Sequence, residues 1–222
     1  MTTNDPKAGP DTGPAFVMPP DVDDGAQLWL VRHGQTEWSR DGRHTGRTDV
    51  PLTSHGEAEA RALAPLLARL APARVLCSPR VRATRTAELS GLHVDTVDPD
   101  LAEWDYGDYE GMTSAEIQEK VPDWTIFTHG AAGGESIDAV RQRADRVLTR
   151  AAASLSDGPV VLVAHGHISR VLGARWIGLP VQGGANLLLD EAAPSVLGAQ
   201  KGVPVIVHWN RPNPASEEDS GE

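Results

Sequence analysis

Three apolar runs in this chain each end in a cluster of imidazole or guanidinium groups. Gln27-Leu-Trp-Leu-Val31 leads into Arg32-His33-Gly34, and Arg74-Val-Leu-Cys77 leads into Ser78-Pro79 with Arg80, Arg82 and Arg85 a turn later. Pro159-Val-Val-Leu-Val-Ala164 leads into His165-Gly166-His167. Guanidinium groups grip an anion through paired N–H bonds, and a neutral imidazole is a nucleophile. No carboxylate cage for magnesium accompanies them. If the three runs are neighbours in space, the set suits attack by an imidazole on a phosphoryl group.

Whether they are neighbours depends on the elements that carry them. The runs are short and apolar on both faces, as buried strands are. Ser54-His-Gly-Glu57 has capping-box spacing and opens an apolar-periodic helix to about Leu70, with Pro65 as a kink or an early stop. A helix over 80–89 follows Pro79, and His93–Val97 reads as a third strand. The stretches 32–53 and 101–134 read as irregular, with one short helix near 113–120. Ser136 caps a longer helix to about Ser154, with Ile137, Val140, Ala144, Val147 and Leu148 on one face. A helix at 167–177 and strands near 185–189, 195–199 and 204–209 follow. Strands alternating with helices predict an α/β fold, a three-layer α/β/α sandwich with a mostly parallel central sheet. Ligands of such folds gather beyond the carboxyl ends of the strands, where the three clusters lie.

A chain of 222 residues is long enough for one well-buried domain, expected over 27–210. The net charge of -11 sits mostly at the ends: 1–26 hold five Asp against one Lys, and 217–222 read EEDSGE. Both ends, 1–26 and 211–222, are expected to be disordered tails. Negative charge argues against nucleic acid and anionic membranes as partners, and no apolar run approaches a membrane span. The first residues lack the basic start and apolar core of a signal peptide. One cysteine, Cys77, excludes an internal disulfide and a cysteine-based zinc site. A cytoplasmic protein is expected. Basic charge is nearly all Arg, 17 against three Lys, which suits phosphate recognition.

Leu30-Val-Arg-His-Gly-Gln-Thr36 resembles the signature of the histidine phosphatase superfamily, in its phosphoglycerate-mutase-like branch. The resemblance continues through 44–53, Ser78-Pro-Arg-Val-Arg-Ala-Thr-Arg-Thr86, Leu101–Gly111, Gly134-Glu-Ser136 and Val163-Ala-His-Gly166, in the family's order, and covers roughly 27–180. The wording of these blocks is most similar to small bacterial acid phosphatases. The resemblance implies a phosphoglycerate-mutase-like fold and a metal-independent phosphatase with no cofactor. It makes His33 the nucleophile, with Arg32, Arg82 and His165 around the phosphate and Glu103 as proton donor, which must be protonated in the complex to act. It also implies pocket contacts from Ser39, Thr45, Gly34, Gly46, Glu135, Ser136 and Gly166. Ser39 stands where many mutases carry Asn, and a hydroxyl can replace that donor. Relatives are often dimers or tetramers, so a homodimer or tetramer is an expectation, with the strand at 204–209 available to pair.

Other readings compete. The basic insertion with which glycolytic mutases clamp substrate has no counterpart between Glu103 and His165, which favours water over a second substrate as acceptor. A phosphoglycerate mutase is therefore the alternative to a phosphomonoesterase acting on a small metabolite, and a non-catalytic phospholigand-binding protein is a third reading. His33, His165 and His167 offer three nitrogens for a metal, but two residues at a strand-to-helix turn need not face one way. Cys77 and Arg82 are one residue short of the cysteine-phosphatase spacing, so Cys77 reads as core. Trp104, Tyr106, Tyr109, Trp124 and Phe127 are either a local mini-core or a lid over substrate. Ser136 reads equally well as a helix cap.

Overall fold

In the computed structural model, which describes Phe16 and residues 22–213, the apolar runs are strands. Leu28–Arg32 (β1), Arg74–Cys77 (β2), Thr96–Val97 (β3) and Val160–Ala164 (β4) are parallel, while Pro194–Gln200 (β5) pairs antiparallel with β1 and Val203–His208 (β6) antiparallel with β5. The sheet order is β3-β2-β4-β1-β5-β6. Arg32 pairs with Ala164 in register, and the ladder runs on into the turns. His33 N donates to Ala164 O at 3.0 Å and Ser78 N to Val163 O at 2.9 Å. Three consecutive strands therefore release their polar clusters at one level of the sheet.

The helices are Glu37–Arg40 (α1), Ser54–Ala62 (α2), Ala64–Leu70 (α3), Val81–Leu89 (α4), Ser114–Gln118 (α5), Ile126–His129 (α6), Ile137–Ala152 (α7) and Gly166–Trp176 (α8). Alternation along the strands assigns the layers, because successive side chains face opposite ways. Leu28, Leu30, Leu76, Val160 and Leu162 pack with α7, α8 and the aromatic stretch. Trp29, Val31, Val75, Cys77, Val161 and Val163 pack against Leu63, Leu67, Ala83 and Ala87 of the α2–α4 region. Each fully buried Val or Leu contributes roughly 1.5–3 kcal/mol, so both faces of β4, which is buried throughout, help hold the site's foundation. The expected α/β/α sandwich with a mostly parallel sheet is the fold observed.

Several elements differ from expectation. The helix read over 54–70 is two, broken at Leu63, and Pro65 lies in the first turn of α3, where its missing N–H costs nothing. Thr53, not Ser54, caps α2, its hydroxyl accepting from Gly56 N at 3.0 Å. The strand at 93–97 shrinks to two residues because Asp95 takes the N–H of Val75 with its side chain at 2.7 Å. No strand forms at 185–189: a 3-10 helix, Val181–Asn186, runs into extended coil. Short α1 and α6 appear in stretches read as irregular.

At both ends packing extends past 27–210. Val22 is buried in the core, and Asn213 is buried with its amide donating to Glu59 O and Ala192 O. Phe16 stacks on Trp176. The tails expected over the rest of 1–26 and 211–222 otherwise lie outside the described residues. Among the described residues no helix is long and apolar enough to cross a membrane.

Candidate active site

His33 leaves β1 at the floor of a pocket of about 180 Å³. Its Nδ1 lies 2.8 Å from Gly34 O, and a carbonyl only accepts, so Nδ1 carries the hydrogen. Burial, with Arg82 and Arg32 beside it, holds the ring well below the usual histidine range. The ring is thus neutral, with the lone pair on Nε2, which has no hydrogen-bond partner among the described residues. Gly34 makes this turn possible. A Cβ there would meet Gly56 O at 2.3 Å, and Gly34 N donates to Thr86 Oγ1 at 3.1 Å.

Behind His33 stands a second layer built from β2 and β4. The His165 ring lies edge-on to His33 at 5.1 Å between centroids. Arg82 Nε, which can only donate, meets His165 Nδ1 at 3.1 Å, so His165 Nε2 holds the hydrogen and donates to Ser78 Oγ at 2.6 Å. Burial, then Arg82, keeps His165 well below its usual pKa. With both nitrogens engaged, it has none to offer a metal. Arg82 is fully buried and also donates to the carbonyls of Thr45, Gly46 and Thr48. Arg82 and His165, expected around the phosphate, are not among the residues lining this pocket; Arg32 stands in front of His33 and this pair behind it.

Arg32 lines the pocket next to Gly166, where a Cβ would come within 3.5 Å of its Cζ. Its Nη1 donates to Leu189 O, and its Nη2 pairs with Glu191 at 2.7 Å. Arg170, one turn into α8, also lines the pocket. It donates to Gly184 O and Ala185 O, both at 2.9 Å, and lies 4.6 Å above the Phe127 ring. Arg32 and Arg170 are therefore both held by backbone carbonyls of one strap, 181–191. Because the strap is not part of a ladder, those carbonyls are free to accept. Asn210 and Trp209, just past β6, fasten it through Asp190 and Leu188 O.

Glu103 lines the same pocket and caps the start of α8, its oxygens accepting from His167 N and Ile168 N at 2.9 Å and from Trp104 N at 2.9 Å. Ser39, Thr45 and Gly166 also line the pocket. The Ser39 hydroxyl is used locally, accepting from Thr36 N at 2.9 Å in the capping box of α1.

Besides Gly34, whose N–H goes to Thr86, three expected contacts are not brought in. Gly46 gives its N–H to Glu110 at 2.9 Å and its carbonyl to Arg82. Glu135 is bound to Arg143 at 2.6 Å, and Ser136 caps α7 by accepting from Ala139 N at 3.1 Å. None of the three lines the pocket.

Arg43, His44, Tyr106 and His167 line it without having been expected as substrate contacts. Tyr106 Oη and His167 Nδ1 are 2.6 Å apart, and burial pushes His44 down to about 4. In the sequence His167 stood out in a strand-end cluster and as a metal candidate and His44 as the start of the 44–53 block, and Arg170 gave no signal beyond lying one helical turn after Gly166. The aromatic stretch is a mini-core rather than a lid. Trp104, Trp124 and Phe127 are buried, both indole N–H groups reach carbonyls, and only Tyr106 of the five faces the pocket. Cys77 is core, its thiol raised to about 12 by burial.

Comparison with known proteins agrees with this geometry. The description "Histidine phosphatase superfamily (branch 1)" matches residues 28–212. An acid phosphatase of Mycobacterium tuberculosis is 44% identical over 80% of this chain and 88% of its own length. Sedoheptulose 1,7-bisphosphatase of Saccharomyces cerevisiae is 37% identical over 69% of this chain and 68% of its own. A solved structure of an open-reading-frame product from M. tuberculosis superposes with a TM-score of 0.82 at 42% identity, covering 84% of this chain and 98% of that one. Carrying its imidazole at the end of β1 over a basic pocket, this chain belongs to the histidine phosphatase superfamily, branch 1, and is a phosphatase of the histidine type.

Proposed function

We propose that the chain is a metal-independent phosphomonoesterase that hydrolyses a small phosphorylated metabolite through a phosphohistidine on His33. The observation that carries this is the Nδ1–Gly34 O bond of a ring that burial keeps neutral, which leaves Nε2 as a nucleophile in the pocket. In the first step Nε2 bonds to phosphorus as the ester P–O bond breaks, and the leaving oxygen takes a proton from the Glu103 carboxyl. In the second, water bonds to phosphorus as the P–N bond breaks, and its proton returns to Glu103. Arg32 and the N-terminus of α8 at Gly166 stabilise the phosphoryl oxygens in front, while Arg82 and His165 orient His33 and offset charge from behind. Relatives named as phosphatases favour water as acceptor over isomerisation. A neutral His33 in acid supports turnover in mildly acidic solution.

The test is phosphate release from an aromatic phosphate ester at pH 4–8, with and without EDTA, by wild type and His33→Ala. Activity is expected to survive EDTA and to fall about 10⁴-fold or more in the variant. Rapid quenching into alkali should trap a phosphoenzyme that acid hydrolyses and the variant lacks. Activity removed by EDTA, retained in the variant, or dependent on a bisphosphorylated primer overturns the reading.

A further inference from the structure

The two pocket cations gripped by the strap, Arg32 and Arg170, differ in one respect. Arg32 has the carboxylate of Glu191 beside it, whereas no ion pair neutralises Arg170 among the described residues. Burial opposes the charge of Arg170 and the Glu103 carboxylate favours it, so the fold keeps a guanidinium with no direct ion pair at a cost. Its Nε and Nη2 are committed to Gly184 O and Ala185 O, and Phe127 fixes the plane from one face. Nη1 has no partner among the described residues and is not among the buried unpaired atoms, which leaves that end of this pocket-lining residue accessible. Apart from Glu103 and Arg32, the titratable neighbours there are neutral. Burial keeps the His44 and His167 rings uncharged at neutral pH and the Tyr106 phenol protonated.

We infer that Arg170 is a specificity-determining residue that binds a second anionic group on the leaving-group side of the substrate. The inference rests on the phosphomonoesterase reading for where the transferred phosphoryl group sits, next to His33, Arg32 and Gly166. Arg170 lies four residues along α8 from Gly166, about 6 Å at the helical rise. That spacing fits a phosphomonoester whose carbon skeleton places a carboxylate or another phosphate three to four atoms from the transferred group. Arg43, also on the pocket wall and tied to Gly111 O at 2.8 Å, adds positive potential. Glu103 is the one acid lining the pocket among the described residues, and the proposed chemistry uses it. The preferred substrate is thus a small doubly anionic metabolite rather than a neutral alcohol's ester.

The experiment compares kcat/KM for propyl phosphate, 2-carboxyethyl phosphate and propane-1,3-diyl bisphosphate in wild type, Arg170→Gln and Arg170→Lys. Wild type should prefer one of the doubly charged esters over the neutral one by about tenfold or more, and which one identifies the second anion. Arg170→Gln should bring that ratio to about one and Arg170→Lys should restore part of it. Because general damage to the pocket lowers all three rates together, the ratio separates specificity from packing. Calorimetric binding of propylphosphonate and 3-phosphonopropionate reads the same subsite without turnover. Selective binding with no hydrolysis of any ester would overturn the phosphatase reading and leave the subsite standing. A wild-type ratio near one, or a ratio that survives Arg170→Gln, would overturn the inference about Arg170 alone.

Discussion

The strand-end turns at 32–36, 77–82 and 164–168 and the strap at 181–191 both present groups to the same pocket, by opposite means. At the strand ends the ladder uses up the backbone, so side chains project: His33, Ser78 and His165 follow residues whose N–H and C=O groups are paired. On the strap the backbone does the holding, and its carbonyls grip arginines that come from β1 and α8. A ladder positions groups through many cooperative bonds, whereas the strap relies on a few bonds at its own fastening points. The first arrangement should therefore fail as a unit and the second by degrees.

The strand-end side should show the largest effect. Arg82→Met removes the donor shared by His165, Thr45, Gly46 and Thr48, leaving buried acceptors without partners. Stability is expected to fall by about 3–5 kcal/mol and kcat/KM by about 10³-fold. Urea melts alongside steady-state rates would check this, and a loss of activity without loss of stability would break the idea of a cooperative layer.

The irregular stretch opposite supplies a pH test. His44, packed on Tyr106 and Trp124, is held near 4 by burial but titrates near 6.5 when unfolded. Its depressed pKa gives stability that is present above 6.5 and lost as pH falls from 6.5 to about 4, amounting to at most about 3 kcal/mol. His33, His165 and His167, depressed further, lose stability over the same range from 6.5 downward and go on losing it below 4. Denaturation at pH 7 and pH 4.5 should show the decline, and His44→Phe should lessen it by one histidine's share. A His44→Phe curve as steep as wild type would exclude His44 as the source.

The strap should give the smallest response. Glu191→Gln leaves the carbonyl of Leu189 to hold Arg32 alone, and kcat/KM is expected to drop about tenfold. The melting temperature should hardly move, because the Arg32–Glu191 pair is partly exposed, at 18% and 24%. A loss as large as that of Arg82→Met would remove the contrast between the two regions.

What the sequence revealed follows the same division. Continuous apolar runs fixed β1, β2 and β4 to within a residue, and with them the meeting of His33, Ser78, Arg82 and His165. The run Ala185-Asn-Leu-Leu-Leu189 looks like a strand by composition, but its partners are Arg32, Arg170 and Trp209. Nothing local encodes bonds to residues so far away in the chain. Glu135-Ser136 satisfied a family block and a helix cap at once, and only the Arg143 pair and the Ala139 bond distinguish the two. Thr53-Ser54 offered two adjacent hydroxyls for one cap. Depth was the least legible property, because an arginine in front of a histidine and one behind it look alike in a line of text.

The order β3-β2-β4-β1-β5-β6 has a consequence for how the enzyme is made. The strand that carries the nucleophile is the first synthesised, yet its neighbours β4 and β5 begin at Val160 and Pro194. A growing chain thus carries Leu28–Arg32 as an unpaired apolar segment through most of translation, a form that invites misassociation or a chaperone. Because β4 lies between β1 and β2 and leads into His165 and Gly166, a product truncated before Val160 lacks the strand that joins the two halves of the site and is expected to be inert as a phosphatase.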